Sequence, residues 1–102
     1  MDIENIRNYC REGKLRWTQH IIRRMIQRGI TMNDVTEAVM AGEIIEEYPE
    51  DYPYSSCLVL GYSRNNDSVH VVCGINNEEL WLITAYYPSS DKWQTDCRTR
   101  RE

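Results

Sequence analysis

Four side chains in the stretch "WTQHIIRRMIQRG", residues 17–29, have the types and spacing for chemistry on an anion: His20, Arg23, Arg24 and Arg28. His20 is one of only two histidines in the chain. Read as a helix, the stretch puts His20 and Arg24 on one face, with Arg28 one turn further along. Ile21, Ile22, Met25 and Ile26 fall on the opposite arc, about 140° wide, and are expected to face the core. The polar face carries no acid. A solvated helix face normally mixes signs, because like charges at i,i+4 repel. Arginine grips planar, bidentate anions such as phosphate better than lysine does. An imidazole in the first helical turn sits at the positive end of the dipole, which suits proton acceptance. Cations for a phosphate and an imidazole for proton transfer together fit work on a phosphodiester. The plainer alternative is a capping-region histidine beside arginines that pair with the acidic stretch 43–51.

A second set of candidates lies in "SVHVVCGI" and "ELWLITAYY", which read as strands joined by the short connection "NNEE". Pairing them across that connection sets Ile75 opposite Leu80 and His70 opposite Ala85. Tyr87 is then diagonal to His70 on the same face, with Trp81 further along it. Tyr86 falls on the other, apolar face with Val69, Val71, Cys73, Leu80, Leu82 and Thr84. The plainer reading makes His70 a half-buried filler between strands, and the tyrosines and Trp81 packing residues. The acidic run "EIIEEYPED" reads as a solvated strand and loop edge, whose charge also blocks edge-to-edge aggregation.

The elements that must position these groups change period along the chain. A first helix spans about residues 3–12, with Ile3, Ile6 and Tyr9 or Cys10 on one stripe and Gly13 as its stop. Thr18 caps a second, which Gly29 ends; a third begins at Thr31 or Asn33 and runs to Gly42. From residue 43 the apolar period becomes two: "EIIEEY", "CLVLGYS" and the two strands above, with a turn at "RNND" and a stop at Pro88. Helices followed by short-linked strands predict an α+β fold, with about three N-terminal helices packed on a four-stranded antiparallel sheet.

The 102 residues make a single domain, with a core over about 3–93 and a polar tail over 94–102. The net charge is −4, but it is polarised. Residues 1–30 carry a balance of +4, residues 31–60 a balance of −7, and residues 91–102 a balance of +1. A basic end and an acidic middle each suit an oppositely charged partner. Cysteines 10, 57, 73 and 97 form no C-x-x-C pair and no cluster with zinc spacing, so free thiols and no metal site are expected. No other cofactor motif is visible. There is no apolar run long enough for a membrane span, and the charged start "MDIENIRNYCREGKL" does not read as a secretory signal. A cytoplasmic address is the expectation.

The order "HIIRRMIQRGIT", "VTEAVMAGEIIEEYPEDYPYSSCLVLGY", "VHVVCG" and "ITAYYPSSDKW" resembles the family known as domain of unknown function 4258, over about residues 15–93. That family is similar to the BrnT and RelE-like toxins of bacterial type II toxin–antitoxin pairs. The resemblance implies a RelE/BrnT-like α+β fold and metal-independent cleavage of RNA. It also implies an antitoxin partner, a YgiT-type (MqsA-like) zinc-finger protein. Carried onto this sequence, the matching positions are His20, Arg24, Arg28, His70 and Tyr86. The family pattern therefore points to Tyr86, and the strand pairing to Tyr87.

Two functions follow. In the first, the chain is an endoribonuclease in which a ribose 2′-OH attacks the adjacent phosphorus. One of His20 or His70 takes the proton, the other or a tyrosine gives one to the leaving oxygen, and Arg24 and Arg28, with Arg23 beside them, hold the phosphate. In the second, it is a non-catalytic binding module that docks a protein or RNA partner.

Overall fold

The chain runs α1 (Ile3–Arg11), β1 (Leu15–Trp17), α2 (Gln19–Arg28), α3 (Met32–Ala41), β2 (Glu43–Tyr48), β3 (Ser56–Tyr62), β4 (Ser68–Asn76) and β5 (Glu79–Tyr86). It is seen in a computed structural model that describes residues 1–63 and 65–102. Each helix begins on a side-chain cap. Asp2 accepts from the Glu4 N–H, Thr18 from Ile21 and Thr31 from Asp34, and the Asp34 carboxylate in turn accepts from the Thr31 N–H. Caps of this kind contribute about 0.5–2 kcal/mol each. Gly29 ends α2 at φ 67°, in the left-handed region that a side chain disfavours.

The sheet has five strands in the order β1-β5-β4-β3-β2 and is mixed. This overturns the expected four-stranded antiparallel sheet with helices only before it. Strands β2 to β5 pair antiparallel, but β1 lies between α1 and α2 in the chain and runs parallel to β5, with Leu15 paired to Leu80 and Trp17 to Leu82. Three residues are too few to show a period of two, which is why β1 left no pattern. Its main chain covers part of the β5 edge, an otherwise unpaired row of donors and acceptors. Between β4 and β5, Asn77 and Glu78 both take positive φ, at 52° and 60°, as a two-residue hairpin turn of the primed type requires. In the turn expected at residues 64–67, Arg64 lies outside the described residues; the Ser63 N–H donates to the Asp67 carbonyl at 2.9 Å.

All three helices cover one face of the sheet: α3 packs on β3 and β4, α2 on β5, and α1 on α3 and β5. Ile6, Ile21, Met25, Val35, Ala38 and Val39 meet Val59, Val69, Val71, Leu80, Leu82 and Ala85 in one core. Strand β3 approaches α3 closely at Gly61, where an added Cβ would run into the Ala38 backbone, with its Cα only 2.5 Å away. Ile22 and Ile26, expected in the core, are instead 39% and 78% exposed. Helix α2 lies along the sheet's edge, so it meets the core through a strip only as wide as Ile21 and Met25.

The other face is also covered. Leu60 pairs opposite His70, and both are buried with Leu58. Residues 93–101 fold back there, closed by a bridge between Trp93 and Arg100 and by the Gln94 N–H on the Thr99 carbonyl at 2.8 Å. Trp93 is only 3% exposed. Arg98 on Glu43 and Arg100 on Glu46 tie this tail to the acidic strand β2. No helix among the described residues is long and apolar enough to cross a membrane.

Candidate active site

The start of α2 is fastened to β5 where that strand is irregular. Cys73 pairs with Leu82 but Val72 pairs with Thr84, so Ile83 is an extra residue in the ladder. A bulge frees main-chain groups from their partners. The Thr18 hydroxyl takes up the Ile83 carbonyl at 2.9 Å while its oxygen accepts the Ile21 N–H. One residue both caps the helix and moors it to the bulge.

The bulge also decides which side chains share a face. Beyond it, paired numbers shift by one, so His70 stands opposite Tyr86 and Val71 opposite Ala85. The expected register, with Ile75 opposite Leu80, holds only as far as Cys73 and Leu82, and the expected pair of His70 with Ala85 does not form. Thr84 and Tyr86 therefore join His70 on the face away from the helices, and Ala85 enters the core.

Along this edge the polar arc of α2 reaches β5. His20 is exposed, with Nε2 3.0 Å from the Thr84 hydroxyl. Arg28 donates from Nη1 to the Ala85 carbonyl at 2.8 Å, so it also closes the sheet edge. Arg24, between them, donates to the Gln27 amide oxygen at 3.0 Å. Among the described residues, none of Arg23, Arg24 and Arg28 forms an ion pair. Of the acids in the stretch 43–51, three are taken elsewhere: Glu43 by Arg98, Glu46 by Arg100, and Glu47 by the Met1 ammonium at 2.8 Å; Glu50 and Asp51 form no ion pair among the described residues.

His70 is in a different situation. It has no exposed surface, and both ring nitrogens are engaged. Nε2 lies 2.6 Å from the Cys97 carbonyl, which can only accept, so Nε2 carries the proton. In the neutral ring Nδ1 then accepts from the Tyr86 hydroxyl at 3.2 Å. The Trp93 ring meets the imidazole edge-on at 4.5 Å between centroids. Burial holds His70 below the ordinary imidazole range and pushes the Tyr86 phenol above its own. His70 pins the tail to the sheet; it does not share an open site with His20.

A cleft of about 370 Å³ opens at the end of this edge, lined by Arg28, Tyr86 and Tyr87, by Ser89 and Lys92 of the following loop, and by Trp93 and Arg100 of the tail. Arg100 is not free in it. Its guanidinium makes two bonds to Glu46, at 2.9 and 3.0 Å, and lies over the Trp93 ring at 4.6 Å. Those bonds hold the Glu46 carboxyl below its usual range. Arg28 and Lys92 have no acid partner among the described residues. Tyr87, 39% exposed, has no hydrogen bond among them. Sequence reasoning missed Ser89, Lys92, Trp93 and Arg100 as lining residues. The one available signal was Trp93, a large apolar side chain at the border of a polar tail. No group of three His, Cys, Asp or Glu side chains that could hold a metal ion is present among the described residues.

Residues 17–87 match the model of the family described as Domain of unknown function (DUF4258), and the chain belongs to that family. No curated protein and no solved structure gives a match.

Proposed function

We propose that this member of the DUF4258 family is a metal-independent endoribonuclease of the toxin type, acting through one histidine. The observation that carries the reading is the row His20, Arg24 and Arg28 on α2. It is free of acid partners among the described residues and runs along β5 to a cleft with cationic walls. His20 takes the proton of a ribose 2′-OH as its oxygen attacks the adjacent phosphorus. The bond from phosphorus to the 5′ oxygen breaks, leaving a 2′,3′-cyclic phosphate, and the protonated His20 returns the proton to that departing oxygen. Arg24 and Arg28 hold the phosphate and offset the charge that gathers on it. His70 and Tyr86 stay out of the proton transfer, because each is occupied by the other.

The resemblance to BrnT and RelE-like toxins supports the biological setting. In it, the chain acts on RNA in the bacterial cytoplasm and is restrained by an antitoxin, a YgiT-type (MqsA-like) zinc-finger protein. The second reading, a non-catalytic module that docks RNA or protein, is favoured by the burial of His70, which leaves a single accessible imidazole. Cleavage of cellular RNA by purified wild type and His20→Ala, side by side in EDTA, separates the two. Cutting by wild type alone supports the enzyme. RNA binding without cutting by either protein leaves the binding module, and equal cutting by both removes His20 from the chemistry.

A further inference from the structure

The cleft at the end of β5 is more than a continuation of the α2 row. Its charged residues converge from three parts of the chain: Arg28 at the end of α2, Lys92 in the loop after β5, and Arg100 in the folded tail. Among the described residues no carboxylate lines it, although the chain as a whole carries a net charge of −4. With Arg100 held by Glu46 and stacked on Trp93, Arg28 and Lys92 are the cations left to meet a ligand. Tyr87, a partly exposed ring whose hydroxyl makes no hydrogen bond among the described residues, lines the same cleft, as does Ser89.

We propose that this cleft is a single-nucleotide subsite for single-stranded RNA, with Tyr87 stacked on the base and Arg28 and Lys92 on the adjoining phosphate. The proposal rests on the reading of the chain as a protein that acts on RNA. The volume is at the small end of ligand pockets, of the size that a single nucleotide needs. A flat aromatic ring flanked by cations is the combination that binds unpaired nucleotides, and stacking tolerates any base because every base has a π-face. Inorganic phosphate would satisfy the cations but leave the ring unused. The base is therefore what the cleft adds to the α2 row.

Amide and indole NMR signals of the full chain, titrated with each 5′-nucleoside monophosphate and separately with inorganic phosphate, test this. The expected result is saturable shifts at Tyr87, Ser89, Lys92 and Trp93, with nucleotides binding at least about tenfold more tightly than phosphate. Tyr87→Ala should weaken nucleotide binding by about 5–100-fold, while Tyr87→Phe keeps it, because the ring and not the hydroxyl does the stacking. Lys92→Gln should weaken nucleotide and phosphate alike. Equal binding of nucleotide and phosphate, shifts centred elsewhere, or an unaffected Tyr87→Ala would overturn the subsite. A single-stranded RNA oligonucleotide separates this inference from the one beneath it. If nucleotides bind at Tyr87 but the RNA is not cut, the subsite stands and the ribonuclease falls. If the RNA is cut and neither Tyr87→Ala nor Lys92→Gln raises KM, the ribonuclease stands and the subsite falls.

Discussion

Tyr86 stands directly opposite His70 across β4 and β5, its hydroxyl 3.2 Å from Nδ1. The pair joins the last strand to the folded tail, because the same imidazole donates from Nε2 to the Cys97 carbonyl. Whatever unseats His70 therefore unseats the back wall of the cleft, through Trp93.

His70→Ala should destabilise the protein by about 2–4 kcal/mol, from the void left and from two polar partners orphaned in a buried place. Urea unfolding measures this directly. A cost within a few tenths of a kcal/mol would show that the tail does not depend on this ring.

Acid should loosen the same joint. Burial depresses the folded-state value of His70, so the unfolded chain binds this proton more readily. Its contribution to stability is full above the unfolded value of about 6.5 and is lost as pH falls from there through the folded value. Melting temperature followed downward from neutral pH should start to drop near that point. His70→Gln should flatten this part of the profile. The depressed Glu46 contributes its own loss only at lower pH, once its carboxylate begins to protonate and its bonds to Arg100 weaken.

Replacing His20 should separate activity from stability. The side chain is exposed and fills no core space, so His20→Ala should keep its melting temperature while RNA cleavage falls about 10²–10⁴-fold. Growth arrest on overproduction should disappear with it. Arg24→Ala should cost nearly as much activity, and Arg23→Ala less, since Arg23 lies farther round the helix from β5. A His20→Ala protein that still cuts would remove this imidazole from the chemistry.

Gly61→Ala tests the packing of α3 on the sheet. The new Cβ meets main chain at Ala38, not a side chain that can swing aside, so the strand or the helix must shift. Such overpacking costs about 1–3 kcal/mol or more. Chemical denaturation should show it, and an unchanged midpoint would mean that the close approach is soft.

Caps, stops and long strands were legible from sequence because each has a local cause. Thr18, Gly29 and Thr31 act on groups within a few residues, and the apolar runs of β3 to β5 are long enough to stand out between their turns. What escaped was set at a distance. The three residues of β1 owe their conformation to the β5 edge, and the extra residue at Ile83 appears only once the ladder is built. That one bulge exchanged the faces of Tyr86 and Ala85, so pairing by number failed at the strand end where the candidate site lies. The row of His20, Arg24 and Arg28 was readable from helical spacing alone. Its neighbours Ser89 and Lys92 were not, because the fold and not the spacing brings them to Arg28.

The parallel pairing of β1 with β5 has a consequence for synthesis on the ribosome. Leu15 must wait for Leu80, and the Arg28 guanidinium for the Ala85 carbonyl, so the edge that carries the candidate site cannot form before β5 has been made. Its helix emerges early with an exposed imidazole but no wall beside it. The cleft closes only when Lys92 and Arg100 have been added and the tail has folded back. The site is therefore assembled only after the last strand and the segment that folds back behind it have both been joined.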